Sequence, residues 1–201
     1  MQLRKALPTE FYNRDVVNVA RELPGKLLCR RSRSGFTVGR IVETEAYLAE
    51  GDSASHSFSG INRKNASMLG PPGRAYVYTI HARQCVNVVT EEQGRASAVL
   101  IRAVEPLLGI PHMQRRRRTE KLRDLCRGPA RLCEAFDIRR DLDGWNLSTG
   151  KRLWIADHIC ALGAKVCVSA RIGVTSATEA KLRFYEAHNS FVSGPAAARE
   201  G

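Results

Sequence analysis

Two periods run through the chain. Across residues 15–23 apolar positions recur at helical spacing, with Val16, Val19 and Ala20 on one face and Asp15 placed to cap the first turn. Pro24-Gly25 ends that helix. Elsewhere a period of two prevails. Residues 26–31 and 36–47 read as strands joined by a polar turn at 32–35. Residues 74–80 and 84–90 read as a hairpin closed by His81-Ala82-Arg83, and 96–104 as a further, mostly apolar strand. Residues 106–118 and 129–136 read as helices, each with a proline near its start. Strands at 152–156, 165–172 and 182–186 complete the pattern. Strand pairs with short turns dominate. The expected fold is therefore α+β, a single domain with a curved, largely antiparallel sheet flanked by helices. Residues 48–73 follow neither period and are rich in Ser, Gly, Asn and Pro. A loop of that length in a compact domain is usually functional. The domain is expected over residues 1–193, with 194–201 a flexible C-terminal tail.

Composition narrows the class. A chain of 201 residues suits one sizeable core, and 43% hydrophobic against 26% charged residues is a globular balance. No apolar run approaches the ~18 residues of a membrane span. Residues 1–11 lack the apolar centre of a secretion signal. The six cysteines form no Cys-x-x-Cys pair, so they read as reduced, mostly buried small hydrophobes, with no metal site among them. The net charge of +12 changes the picture most. Of 32 basic residues 25 are Arg, whose planar fork pairs with phosphate, and a basic domain of this size points to nucleic acid. The densest run is the four consecutive Arg at 115–118. On a helix they point in all directions and cannot form one stripe.

Candidate chemistry lies on the second strand. Its period puts Glu43, Glu45 and Tyr47 on one face, and two like charges there repel unless one has a task. A carboxylate beside an aromatic ring suits a pocket that holds a flat ligand and activates a water. Arg102 stands in the apolar run 99–104, where a buried Arg needs an anionic partner, and Glu45 is a candidate. Asn87 sits within a strand, where Asn is disfavoured.

These residues belong to a series of blocks: Glu43-Thr44-Glu45-Ala46-Tyr47, Ala54-Ser55-His56-Ser57, Met68-Leu69-Gly70-Pro71-Pro72-Gly73, Ala75-Tyr76-Val77-Tyr78, Asn87-Val88-Val89-Thr90, the strand around Arg102 with Glu105-Pro106, Leu125-Cys126-Arg127-Gly128-Pro129, Ala170-Arg171-Ile172-Gly173-Val174 and Leu182-Arg183-Phe184-Tyr185. In this order and spacing, over residues 11–192, the chain resembles the alkyladenine (3-methyladenine) DNA glycosylase family. The resemblance implies a monofunctional DNA glycosylase of base excision repair. Such an enzyme flips alkylated or deaminated purines out of the stack and hydrolyses the N-glycosidic bond. Glu45 matches the Glu that activates the water, Arg102 the Arg that helps hold it, and Ile172 the position whose carbonyl does the same. Tyr47, His56 and Tyr78 match the aromatic pocket for the flipped base, and Asn87 the residue that crowds out guanine. The family's wedge at the hairpin tip matches His81, with Arg83 beside it, on a tip one residue shorter than usual. Asn62-Arg63-Lys64-Asn65 replaces the usual Thr-Pro-Arg-Asn. The altered tip leaves an alternative open, a non-catalytic protein that binds damaged or single-stranded nucleic acid. The resemblance further implies no metal or other cofactor, damaged DNA as partner in double- or single-stranded form, no membrane and a monomer. It implies a location in the cytoplasm at the bacterial nucleoid, or in the nucleus of a eukaryote.

Overall fold

A computed structural model describes residues 5–158 and 165–194. Its strands are β1 (Leu27–Ser32), β2 (Gly35–Tyr47), β3 (Ala75–Ile80), β4 (Arg83–Thr90), β5 (Ser97–Leu108), β6 (Leu153–Ala156), β7 (Val166–Ser169) and β8 (Arg183–Glu186). Its α-helices are α1 (Thr9–Tyr12), α2 (Val16–Glu22), α3 (Ile110–Arg117) and α4 (Pro129–Ala135). The expected α+β class holds. The strands form one antiparallel sheet, curled into a half-barrel, in the order β3-β4-β5-β2-β1-β6, with β8 paired to β2 and β7 to β8. β2 is the spine. β5 lines one edge from Val38 to Tyr47, while the other edge pairs first with β1 and then, at Glu43, Thr44 and Glu45, with β8.

The period of two sorts the two faces. Ala46, Val77, Val86, Val88, Val99 and Ile101 point into the main core, against Val19 and Leu23 near α2 and Leu132 and Phe136 near α4. Thr44 also faces the helices, and its hydroxyl donates to the Ala20 carbonyl at 2.6 Å. Glu43, Glu45 and Tyr47 take the opposite face, and Tyr76, Tyr78 and Asn87 lie beside Tyr47 on that side. Asp15 caps α2 as its position predicts, accepting from the Asn18 amide at 3.0 Å.

Three expectations need correction. No helix begins at Pro106, because β5 continues to Leu108 and α3 starts at Ile110. Pro106 is tolerated because the ladder slips there: Val38 pairs with Leu108 and Gly39 with Pro106, leaving Leu107 extra. The boundary falls at Gly109, with φ +78°, where a Cβ would sit 2.2 Å from the Phe36 carbonyl. The hairpin turn is His81-Ala82 alone, with φ of 46° and 60°; Arg83 already pairs with Ile80. Positive φ at both central residues is the signature of a type I′ turn. The strand expected over 165–172 is shorter, so that Arg171 and Ile172 lie in a loop. Of the expected tail, only Gly194 lies within the described residues.

The arginine run is half structural. Arg116 donates to the Ala135 carbonyl at 2.6 Å and to Ser34 Oγ at 2.6 Å, and Arg117 pairs with Glu134. Together they tie α3 to α4, leaving Arg115 and Arg118 exposed. Cys29, Cys85, Cys126, Cys133 and Cys167 are free and buried, as expected; Cys160 lies outside the described residues. Burial raises the Cys29 thiol to about 12, a value at which it is an inert thiol rather than a nucleophile.

Candidate active site

A β-bulge aims the central arginine. Glu43 pairs with Ala103 and Thr44 with Ile101, so Arg102 is the extra residue on β5. Bulges re-aim side chains next to functional sites. Leu100 pairs with Glu45, so the alternation of β5 already puts Arg102 on the face that carries Glu45, and the bulge lets it stand between the two carboxylates. Its Nη1 lies 3.1 Å from Glu45 Oε1 and 3.1 Å from Oε2, and it also donates to the Ile172 carbonyl at 3.1 Å. Burial opposes charge on this guanidinium, but Glu45 and Glu43 outweigh it and raise its pKa.

Glu45 has no exposed surface. Its Oε1 accepts from the Ile172 amide at 2.8 Å and its Oε2 from the Tyr47 hydroxyl at 2.9 Å. With Arg102 these are three donors on a carboxylate that offers about four lone-pair sites. Room for one further donor remains. Burial, and then the neighbouring Glu45 charge, hold the Tyr47 phenol protonated by raising its pKa well above the ordinary value. Tyr47 thus links the buried carboxylate to the cleft above it.

That cleft encloses about 360 Å3, within the usual range for small-ligand sites of roughly 300–1,000 Å3. Tyr47, His56, Tyr78 and Asn87 all line it, so the structure brings the sequence-predicted pocket residues together. His56 and Tyr78 meet edge-to-face with ring centroids 4.4 Å apart. Burial lowers the His56 pKa and favours its neutral form. Asn87 is held by a bond from its Nδ2 to the Tyr76 carbonyl at 3.0 Å.

Sequence reasoning missed two supporting residues. Tyr76 stacks on Tyr78 with centroids 5.4 Å apart, and its hydroxyl lies 2.9 Å from His56 Nδ1. The i, i+2 spacing of the two tyrosines carried that signal. Arg171 makes a bidentate pair with Asp52, both contacts at 2.7 Å, and stands 4.7 Å from the Tyr47 ring centroid. Nothing in the local sequence pairs positions so far apart. Asp52 also accepts from the Leu48 and Ala54 amides at 3.0 and 3.1 Å, which anchors the loop that delivers His56. Burial would raise the Asp52 carboxyl, but Arg171 and those amides more than offset it and hold its pKa low.

A second cleft of about 610 Å3 adjoins the first and shares its Tyr76, Tyr78 and His56 wall. Arg63, Lys64 and Arg140 make it basic. His81 and Arg83 lie exposed at the hairpin tip and do not line the 360 Å3 cleft. Among the described residues no group of three or more His, Cys, Asp or Glu side chains is arranged to hold a metal ion.

The family model for methylpurine-DNA glycosylase matches residues 10–190. The chain belongs to the methylpurine-DNA glycosylase family. It is accordingly a DNA glycosylase, a hydrolase of DNA repair. Several similar proteins are named "Putative 3-methyladenine DNA glycosylase". The chain is 44% identical over 191 residues to one from Methanoculleus marisnigri, covering 93% of this chain and 98% of that protein. It is 45% identical over 187 residues to one from Mesorhizobium japonicum, covering 92% and 89%. A relative from Carboxydothermus hydrogenoformans is 42% identical over 188 residues, covering 93% and 98%.

Proposed function

We propose that this glycosylase flips alkylated or deaminated purines into the Tyr47–His56–Tyr78 cleft and hydrolyses the N-glycosidic bond with a water activated by Glu45. The observation that carries the reading is the buried Glu45, held by Arg102 Nη1, the Ile172 amide and the hydroxyl of Tyr47, whose ring lines an aromatic cleft. The remaining lone pair of the carboxylate accepts a proton from the water as it attacks the sugar C1′, and the negative charge faces the sugar cation that develops. Arg102 helps hold that water by fixing its two acceptors, since one Nη1 hydrogen goes to Glu45 and the other to the Ile172 carbonyl, whose second lone pair stays able to accept from the water. The base leaves as the C1′–N bond breaks, and the water oxygen becomes the sugar hydroxyl. Among the described residues no lysine bonds the Glu45 carboxylate, so the expected product is an intact abasic site rather than a Schiff base.

Alkylation makes a purine cationic, which strengthens its stacking on aromatic faces and makes it a better leaving group. Asn87 projects from β4 into the same cleft and crowds the 2-amino group of guanine. Arg63, Lys64 and Arg140 grip phosphates beside the flipped nucleotide, and His81 with Arg83 fills the gap left in the stack. Residues 1–193 act as one monomeric glycosylase domain on duplex or single-stranded damaged DNA, in the cytoplasm at a nucleoid or in a nucleus. The test is an excision panel over 3-methyladenine, 7-methylguanine, hypoxanthine and ethenoadenine, read as abasic sites. Release of at least one lesion, weakening steeply with salt through lost phosphate contacts, supports the reading. Binding without release of any lesion would instead make the chain a damage-binding protein.

A further inference from the structure

Glu43, the first carboxylate of the Glu-Thr-Glu run, has no exposed surface and lines neither cleft. Three groups bind it closely: Arg183 Nε at 2.6 Å, the Ser193 amide at 2.8 Å and the Ser193 hydroxyl at 2.9 Å. Arg102 Nε lies 3.3 Å from the same carboxylate. The Ser193 oxygen in turn accepts from Arg102 Nη2 at 3.4 Å. The Glu43 charge thus stands at ion-pair distance from Nε without a hydrogen bond to it, the Ser193 hydroxyl takes Nη2, and only Nη1 reaches Glu45 and the Ile172 carbonyl.

That end-on contact is unusual. An Arg–carboxylate pair commonly meets fork to fork, through two parallel N–H···O bonds. A fork on Glu45 would occupy the lone pair that an attacking water needs. We infer that Glu43 and Ser193 are positioning residues, which hold Arg102 end-on so that Glu45 keeps one acceptor site free for water. The inference rests on the reading of Glu45 as the base.

Ser193 comes from the last stretch of described chain, which is fastened independently of its hydroxyl. Val192 is buried with Val42, Ala103, Cys167 and Tyr185. Arg123 Nε donates to the Ser190 carbonyl at 3.0 Å and Arg127 Nε to the Val192 carbonyl at 3.0 Å. The backbone is therefore in place without the hydroxyl. The hydroxyl has a single proton, and giving it to Glu43 turns its lone pairs toward Arg102.

The experiment measures single-turnover excision of the best lesion of the panel, with the dissociation constant for the same duplex. Ser193→Ala should slow excision about three- to tenfold, less than the full worth of the charge-assisted bonds it removes because the hydroxyl acts on the water only through Arg102, and leave binding within about twofold. Ser193→Thr keeps the hydroxyl and should restore most of the rate. In an Arg102→Met background Ser193→Ala should cost nothing further, because its effect passes through Arg102. Wild-type excision by Ser193→Ala, no recovery with Thr, an undiminished loss in the Arg102→Met background, or a Ser193→Ala chain that fails to fold would each overturn the inference. Glu45→Gln runs alongside. Wild-type turnover there would remove the base itself, whereas an inactive Glu45→Gln with an unaffected Ser193→Ala removes only the positioning role.

Discussion

Asp52→Asn should unfold this protein far more easily than its conservative chemistry implies. The Asp52 and Arg171 side chains are 2% and 0% exposed, and their two contacts of 2.7 Å form a bidentate pair. Arg171 Nε is buried and finds no hydrogen-bond partner among the described residues, so the guanidinium depends on the Asp52 contacts of Nη1 and Nη2 and on the Ala46 carbonyl 3.0 Å from Nη1. Asparagine keeps the shape, strands the positive charge and turns an NH2 toward groups that are themselves donors. Removing one partner of a buried pair costs about 3–5 kcal/mol. At about 2–4 °C per kcal/mol for a domain of this size, the melting temperature should fall by roughly 6–20 °C. The double variant Asp52→Leu/Arg171→Met removes both charges and should recover part of that loss, since a buried pair replaced by apolar groups is often neutral, while the Leu48 and Ala54 amides that lose Asp52 as acceptor hold back the rest. Differential scanning calorimetry at neutral pH and fixed salt measures all three chains. A melting temperature for Asp52→Asn within about 2 °C of wild type would show that the charge is not stranded and would refute the reasoning.

Further outcomes follow from the cleft. Asn87→Ala should raise release of undamaged guanine relative to hypoxanthine, because the gate acts by crowding; an unchanged ratio in a competition assay returns Asn87 to a purely structural bond with Tyr76. His81→Ala should weaken flipping of stably paired lesions more than of loosely paired ones, since the smaller side chain covers less of the neighbouring bases, and a fluorescent base-flipping substrate reads this directly. Burial holds His56 below its ordinary value of 6.5, so the unfolded chain binds its proton first. The stability owed to neutral His56 is complete above that value and drains away as pH falls through it. Melting curves from pH 7.5 to 5 should show this slope and lose it in His56→Gln.

Much of this architecture was legible because charge stood where charge is expensive. Glu45 and Arg102 interrupt apolar strands, and that anomaly makes Glu45 a candidate partner for Arg102. The alternation of β2 divides Thr44 and Ala46 from Glu43, Glu45 and Tyr47 without any knowledge of the fold. What the alternation cannot show is where it slips. The bulges at Leu107 and Arg102 are choices of register between two strands, and the first of them hides a proline that reads as a helix start. Long-range pairs are equally silent: Asp52 and Arg171 lie in loops, and Ser193 near the end of the chain has nothing in its local sequence to tie it to Glu43.

The central claim is that Glu45 activates the attacking water. Single-turnover excision by Glu45→Gln, paired with its affinity for the same damaged duplex, tests it most directly. Loss of the general base alone should slow excision by roughly 10²–10⁴-fold while affinity stays within a few fold. Excision by Glu45→Gln at the wild-type rate would contradict the account.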